Sequence, residues 1–303
     1  MDRLRVLSSQ VAGPTAGAHG LQHGAVPWLG PTACSGSRGV LQNFIGGQFV
    51  ASAVGTSICV TNPATGKEIA RVPEGGAEDV NAAVKAAVSA FTGWRDTPAK
   101  ARVEVLFRFK TLLERNLSEL TAVVVEEHGK NAGEAEAEIL KGIETVAYAV
   151  GIPDLLAGRN LEVSRGVFCQ EVRRPLGVVA SIVPFNFPAM VPLWTLPIAI
   201  ACGNCLIMKP SEKVPLTLMR MAELLREAGL PPGVFSIVHG AQAAVLALAE
   251  HPGIAAVSFV GSSKVAGLVD ATARAAGKRA LCMGGAKNHL IAMPDADEEM
   301  MIS

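Results

Sequence analysis

The chain has 303 residues, of which 50% are hydrophobic, and its formal net charge is zero because 27 basic and 27 acidic side chains balance. This length allows a substantial core, in one large domain or two smaller ones. The charge balance argues against nucleic acid as a partner, because such a partner needs a basic surface. Six cysteines are few for this length. The composition therefore predicts a reducing compartment rather than a disulfide framework.

The first forty residues differ in composition from the rest of the chain. They contain Arg3, Arg5 and Arg38, many small residues and a single acid, Asp2. Arginine-bearing, acid-poor leaders are typical of organelle transit peptides, and a disordered extension or a misplaced start codon is the alternative. We therefore predict a disordered or transit-like extension over residues 1–40, with the mitochondrial matrix as location and the cytoplasm as the alternative.

Ordered structure is expected to begin near residues 43–47, where a hairpin signal lies between short apolar runs. Four helices should follow, because apolar residues recur there at helical spacing. Their predicted bounds are 78–91, 98–115, 118–128 and 132–150. The last helix carries Glu134, Glu136 and Glu138 near its start, where the helix dipole favours acids.

From residue 176 onwards, short strands alternate with helices. The predicted strands are 176–183, 205–208, 234–239 and 255–260, and the predicted helices are 190–201, 217–228, 241–250 and 264–276. This alternation predicts an α/β fold with a doubly wound parallel sheet covered on both faces. Ligands in such sheets bind beyond the carboxyl ends of the strands. Residues 161–172 predict a protruding hairpin before the sheet begins.

Residues 175–208 contain no charged side chain, which would suit a membrane span. Five prolines and the Gly203-Asn204 pair interrupt the segment. No uninterrupted apolar stretch is long enough to cross a bilayer as a helix, so buried strands and a buried helix are the better interpretation.

A candidate phosphate site lies where the predicted strand 255–260 ends. Gly261 follows the strand, and Ser262 and Ser263 open a helix. Free N–H groups at a helix start attract anions, and glycine lets a phosphate approach. The alternative is an ordinary helix cap, and the spacing of the usual dinucleotide fingerprint is absent.

Lys209 and Glu212 follow the predicted strand 205–208. The hydroxyls of a ribose donate and accept hydrogen bonds, so a carboxylate and an ammonium group suit them. A solvated loop is the alternative, which the two residues alone favour. Asn186 stands in the proline-framed turn 184–188 and is expected to be a buried amide. It would either donate to an oxyanion or satisfy the turn backbone.

Histidines and cysteines give no metal site. The histidines are scattered without the spacing of metal ligands. Cys202 and Cys205 form one C-x-x-C pair, but no second pair completes a zinc site. We interpret both as core cysteines.

Together these motifs resemble the aldehyde dehydrogenase superfamily from about residue 43 to residue 297. In detail they are similar to the CoA-acylating methylmalonate-semialdehyde dehydrogenases. The matching signatures are Phe44-Ile45-Gly46-Gly47, Asn62-Pro63-Ala64-Thr65, Glu127-His128-Gly129-Lys130, Pro184-Phe185-Asn186-Phe187-Pro188-Ala189-Met190, Lys209-Pro210-Ser211-Glu212, Phe259-Val260-Gly261-Ser262 and Gly285-Ala286-Lys287-Asn288-His289.

The resemblance implies a Rossmann-like NAD-binding domain over residues 41–281, which includes the N-terminal helices and an oligomerisation hairpin near 161–174. Residues 282–303 would begin a catalytic domain that is incomplete. A homo-oligomer, dimer or tetramer, is implied for the full-length protein. The residues implied at the site are Asn186 in the oxyanion hole, Lys209 and Glu212 on the ribose, Ser262 on the pyrophosphate, and Phe185 and Gly261 beside the cofactor.

The segment 282–286 indicates how the acyl group is released. Hydrolytic members have Glu-Leu-Gly-Gly-Lys there, and their glutamate activates water, whereas this chain places Cys282 at that position. Release by water needs a general base, and coenzyme A can supply a thiol instead. The resemblance therefore implies oxidation of methylmalonate or malonate semialdehyde to propionyl-CoA or acetyl-CoA, with NAD as the hydride acceptor.

Two departures qualify the resemblance. Lys141 stands where the family commonly has an arginine that binds the substrate carboxylate, and lysine lacks the bidentate fork. The family's Gly-x-Arg-Cys-Met segment, which bears the nucleophile, is not found up to Ser303, so the chain as given is expected to be inactive alone. The alternatives are a non-catalytic NAD-binding fragment or pseudoenzyme, and a hydrolytic relative that uses another base.

Overall fold

The structure is a computed structural model that describes residues 37–302. Most of the extension predicted for residues 1–40 lies outside the described residues. The mitochondrial location accordingly stays a prediction.

The helices form where apolar residues recur every three or four positions. In the first helix, for example, the buried positions include Val80, Ala83, Val84 and Ala87, which share one face. The helices of the described residues are α1 (Ala77–Asp96), α2 (Ala99–Arg115), α3 (Leu117–His128), α4 (Ala132–Val150), α5 (Ile152–Leu155), α6 (Met190–Ala201), α7 (Leu216–Glu227), α8 (Gln242–Glu250), α9 (Ser263–Ala275) and α10 (Glu298–Ile302).

One mixed sheet of seven strands forms the centre of the fold, in the order β11-β10-β7-β8-β9-β1-β2. The strands are β1 (Asn43–Ile45), β2 (Gln48–Val50), β3 (Ser57–Thr61), β4 (Glu68–Pro73), β5 (Asn160–Ser164), β6 (Val167–Gln170), β7 (Val178–Ile182), β8 (Cys205–Lys209), β9 (Phe235–Ile237), β10 (Ala256–Val260) and β11 (Arg279–Met283). The five strands from β7 to β11 pair in parallel, whereas β1 and β2 add antiparallel. The predicted α/β class with a parallel sheet is confirmed.

The strand order creates a crevice at the carboxyl edge of the sheet. From β7 the chain moves outward through β8 to β9, and it then returns to the other side of β7 for β10 and β11. Because parallel crossovers are right-handed, α6 and α7 cover one face, while α8 and α9 cover the other with α1. The loops after β7 and β10 therefore leave on opposite faces, and ligands bind at such a switch point.

Strand β11 was not predicted, because it has charged Arg279 at its start and its side chains are only partly buried at the edge of the sheet. The hairpin expected at 161–172 is present as β5 and β6, and every position of both strands is exposed.

Among the helices of residues 37–302, none combines the length and the apolar character that crossing a bilayer requires.

Candidate active site

The loop after β7 presents Phe185 and Asn186 to solvent. Pro188 is buried and Phe187 packs against the core, so these two residues of the turn point inward. The expectation of a buried Asn186 amide is wrong for this reason, because the side chain lies on the outward side of the turn. Its backbone carbonyl accepts a hydrogen bond from Nζ of Lys130 at 2.9 Å. Its side-chain amide makes no hydrogen bond to the residues that the structure describes.

Lys209 is buried at the carboxyl end of β8, with 3% of the residue exposed. Its Nζ atom donates to the carbonyl oxygens of Pro210 at 2.7 Å and Gly240 at 2.8 Å. The third contact is long, 3.5 Å to Oε2 of Glu212. Burial lowers the pKa of Lys209, and the nearby Glu212 carboxylate partly offsets this. Two N–H groups are thus fixed by the fold, and the third is only weakly engaged.

Glu212 completes the pair at the rim of the crevice. Its side chain is 33% exposed, against 4% for that of Lys209. A carboxylate at a half-exposed rim accepts hydrogen bonds from a ligand while the buried ammonium beside it stays fixed. The structure therefore brings the two predicted ribose-binding residues together, and their role stays a prediction.

The start of α9 offers free donors. Ser262 is the residue before the helix, its backbone is extended (φ −67°, ψ 146°), and its side chain makes no capping hydrogen bond. The first turn has no acid, so nothing there neutralises the positive end of the helix dipole. Exposed N–H groups and a hydroxyl form a donor set that fits a phosphate.

A side chain at position 261 would require the Phe259 ring to shift. A Cβ atom there would lie 2.6 Å from Cζ of the Phe259 ring. The backbone N–H of Gly261 donates to the carbonyl of Met283 at 3.1 Å, and that of Gly285 donates to Oγ of Ser263 at 3.0 Å. These bonds join the ends of β10 and β11 beside the α9 start.

Three candidate functional residues in the structure are not predicted by the sequence. Lys130 lies 2.5 Å from Oε2 of Glu138 and 4.0 Å from the centre of the Phe187 ring, directly behind the Asn186 loop. Glu127 is buried beside the start of α7. Glu138 was interpreted only as an acid favoured by its own helix dipole. The available signal was the position of Glu127 and Lys130 within one family signature, whose function the sequence did not reveal.

Lys141 does not converge on these residues. Its Nζ atom pairs with Oε2 of Glu144 at 2.8 Å on the same helix, and both side chains are more than half exposed. The predicted interaction with a substrate carboxylate would have to compete with this ion pair.

Cys282 lies against α9 rather than in open solvent. Burial raises the pKa of its thiol, Asp270 raises it further, and Arg274 opposes the rise. The thiol is therefore protonated at neutral pH, and it is suited to act neither as a base nor as a thiolate nucleophile.

In the described part of the chain, Cys59, Cys169, Cys202, Cys205 and Cys282 are free thiols. No group of three or more His, Cys, Asp or Glu side chains within residues 37–302 could hold a metal ion.

A groove of about 220 Å³ opens on one face of the sheet between α6 and the strands β7, β10 and β11. Its walls include Ser181, Thr195, Ser258 and Leu281. None of the predicted site residues lines it, so it is separate from the crevice at the carboxyl edge.

A switch point, a buried lysine beside a rim carboxylate and an uncapped helix start are features typical of nucleotide sites in α/β proteins. The model of the aldehyde dehydrogenase family matches residues 49–303. The chain belongs to this family.

Several relatives of this chain are named as malonate- or methylmalonate-semialdehyde dehydrogenases. The chain is 51% identical over 264 residues to malonate-semialdehyde dehydrogenase 2 of Geobacillus thermodenitrificans, which covers 87% of this chain and 55% of the relative. It is similar to the structure of methylmalonate-semialdehyde dehydrogenase from Oceanimonas doudoroffii, with a TM-score of 0.85 and 46% identity over 87% of this chain and 54% of the other. A Sinorhizobium meliloti protein described as a methylmalonate-semialdehyde dehydrogenase was solved with NAD, and it has a TM-score of 0.85 and 44% identity over 86% and 54% of the two chains. The chain thus spans about half the length of the relatives it matches.

Proposed function

We propose that the described residues form the NAD-binding part of an aldehyde dehydrogenase that oxidises malonate or methylmalonate semialdehyde and transfers the acyl group to coenzyme A. The observation that carries the proposal is the convergence of Asn186, the Lys209–Glu212 pair and Ser262 on the carboxyl edge of the parallel strands β7, β8 and β10. The names of the relatives and the NAD in a similar structure support it.

The donors and acceptors at this edge match the parts of a dinucleotide. Ser262 and the first N–H groups of α9 would bind the diphosphate. The Glu212 carboxylate would accept hydrogen bonds from ribose hydroxyls, and the third N–H of Lys209 would donate to one. A carboxylate at this position also repels an added phosphate, which favours NAD over NADP. Phe185, half exposed beside Asn186, would offer an apolar surface to the cofactor. Gly261, which has no side chain, would let the diphosphate approach the backbone.

Aldehyde oxidation requires a hydride acceptor, which bound NAD supplies. This chain's contribution near the reacting carbon would come from Asn186. Its side-chain N–H groups are free of protein partners among residues 37–302 and would donate to the substrate oxygen as negative charge develops there. Lys130 holds the backbone of the same residue, so the amide is presented from a fixed turn.

The environment of Cys282 supports acyl transfer to a thiol. A protonated thiol that packs against α9 cannot activate water in place of the glutamate of hydrolytic members. Without a base at this position, a thiol such as that of coenzyme A would release the acyl group. For the substrate carboxylate, Lys141 is the residue that the family pattern indicates, with Glu144 as the competitor.

The test measures NADH formation by the protein at its natural length, with malonate semialdehyde and NAD, in the presence and absence of coenzyme A. The proposal predicts NADH only when coenzyme A is present, with acetyl-CoA and carbon dioxide as products. Equal NADH formation without coenzyme A would contradict acyl transfer and favour the hydrolytic alternative. A protein that binds NAD but forms no NADH under either condition would favour a non-catalytic nucleotide-binding role.

A further inference from the structure

The helices α6 and α7, which come after the two site loops, begin without a capping side chain of their own. The residue before α6 is Ala189 and the residue before α7 is Pro215, and neither makes a side-chain hydrogen bond to its helix. The first N–H groups of a helix have no partner within it, and leaving them buried and unpaired is costly. Other parts of the fold must therefore provide the acceptors.

Glu138, on α4, provides the acceptor for α6. Its Oε1 atom accepts hydrogen bonds from the backbone N–H of Ala189 at 2.8 Å and of Met190 at 3.2 Å. Its Oε2 atom lies 2.5 Å from Nζ of Lys130, and only 1% of the Glu138 side chain is exposed. The carboxylate is stabilised both by the positive end of the helix dipole and by the ammonium group.

Glu127, in the last turn of α3, has the same relation to α7. Its Oε2 atom accepts from the N–H of Leu216 at 2.6 Å, and its Oε1 atom accepts from the N–H of Thr217 at 3.0 Å and from the Thr217 hydroxyl at 2.5 Å. The residue is 2% exposed. Carboxyl groups that are distant in sequence thus replace local caps at both helix starts.

Lys130 connects these caps to the loop that carries Asn186. Its Nζ atom donates to the Asn186 carbonyl and lies over the Phe187 ring. The connection from α3 to α4 passes through Gly129, whose φ of 83° is left-handed and favours glycine. The short segment from Glu127 to Lys130 therefore contacts both the loop after β7 and the helix start after β8.

We propose that Glu127, Lys130 and Glu138 form a clamp of positioning residues that sets the spacing between the Asn186 loop and the Lys209–Glu212 loop. The inference rests on the proposed function, because this spacing matters where one dinucleotide spans both loops. The clamp acts from behind the sheet edge, and its three side chains need not touch the cofactor.

A merely structural role would have a different signature. Removing a structural ion pair lowers the stability of the whole fold but leaves the affinity of the folded molecules for the cofactor unchanged. Removing a positioning contact changes that affinity in protein that remains folded, because the loop must be ordered again on binding.

The main variant is Lys130→Met, which removes the donor to Asn186 while keeping a long apolar side chain. Its matched control is Lys110→Met, because Lys110 forms an ion pair of the same length, 2.5 Å, with Glu114 on the half-exposed surface of α2. Lys130→Arg tests rescue by charge. NAD binding is measured by calorimetry on the full chain, after circular dichroism has verified the fold.

The clamp predicts that Lys130→Met weakens NAD binding about tenfold, that Lys130→Arg recovers part of the loss, and that Lys110→Met changes nothing. A folded Lys130→Met protein with the affinity of the wild type would overturn the inference.

A second readout is independent of NAD. Hydrogen exchange of the peptide around Ala189 and Met190 should become about tenfold faster in Glu138→Ala and stay near the wild-type rate in Glu138→Gln, which keeps an accepting oxygen. Unchanged exchange in Glu138→Ala would contradict the proposal that Glu138 caps α6.

If the wild type binds no NAD, the proposed function fails, while hydrogen exchange still tests the caps. If all folded variants bind NAD equally, the clamp fails and the proposed function stands.

Discussion

Replacing Glu127 by glutamine should remove a pH-dependent part of the stability. Burial raises the pKa of this carboxyl from 4.5 to about 7, and it outweighs the hydrogen bonds from Thr217 and Leu216, which act in the opposite direction. Arg38 is the nearby cation, and it too lowers the pKa. Between pH 4.5 and about 7, the folded protein therefore holds a proton on Glu127, whereas the unfolded chain has already released it.

Proton linkage determines the direction in which the free energy of unfolding changes with pH. A carboxyl whose pKa is raised by folding contributes its full stabilisation below pH 4.5 and loses it as the pH rises through about 7. Because the pKa of Glu127 rises from 4.5 to about 7, its ionisation costs the folded state about 3 kcal/mol by pH 8. Glutamine cannot ionise, so the variant lacks this loss.

The assay is urea unfolding of the wild type and of Glu127→Gln at about pH 5 and pH 8. Between these values the free energy of unfolding of the wild type should fall by about 2–3 kcal/mol more than that of the variant. Glu114→Gln, on the half-exposed surface of α2, serves as the control and should behave like the wild type. An equal pH dependence in the wild type and in Glu127→Gln would refute the reasoning.

Three further predictions concern other parts of the chain. Lys209→Met should lower the free energy of unfolding by about 1–3 kcal/mol, because two buried carbonyl groups lose their donor, and urea titration measures this. Phe168→Asp on the exposed β5–β6 hairpin should lower the mass seen by light scattering if the chain self-associates there, and an unchanged oligomer would exclude the hairpin. Cys282 should react with iodoacetamide more slowly than glutathione at pH 7, because its pKa is raised, and rapid labelling followed by mass spectrometry would contradict that.

The sequence predicted the central elements because their signals are local. The helix predicted at 190–201 and the strand predicted at 205–208 match α6 and β8 nearly residue for residue. Strand β8 is buried at all five positions, which is why its sequence is a continuous apolar run before Lys209. The relation between Lys209 and Glu212 was also predictable, since both lie at one strand end.

Features that depend on distant residues were not predictable in this way. Nothing in the sequence near Glu138 shows that its carboxylate caps α6, because the amides that it accepts from are about fifty positions away. The outward direction of Asn186 depends on which neighbours in its turn pack inward. Strand β11 is recognised only through its pairing with β10, since an edge strand that is partly exposed lacks a strong apolar signal.

The central claim is that the crevice at the carboxyl edge of the sheet binds NAD. Calorimetric titration of the folded chain with NAD tests it most directly, with Glu212→Ala as the site variant. The account predicts one binding site in the wild type and an affinity about tenfold weaker in Glu212→Ala, because the ribose hydroxyls lose their carboxylate acceptor. A folded wild type that releases or absorbs no heat of binding, or a variant that binds as tightly as the wild type, would contradict it.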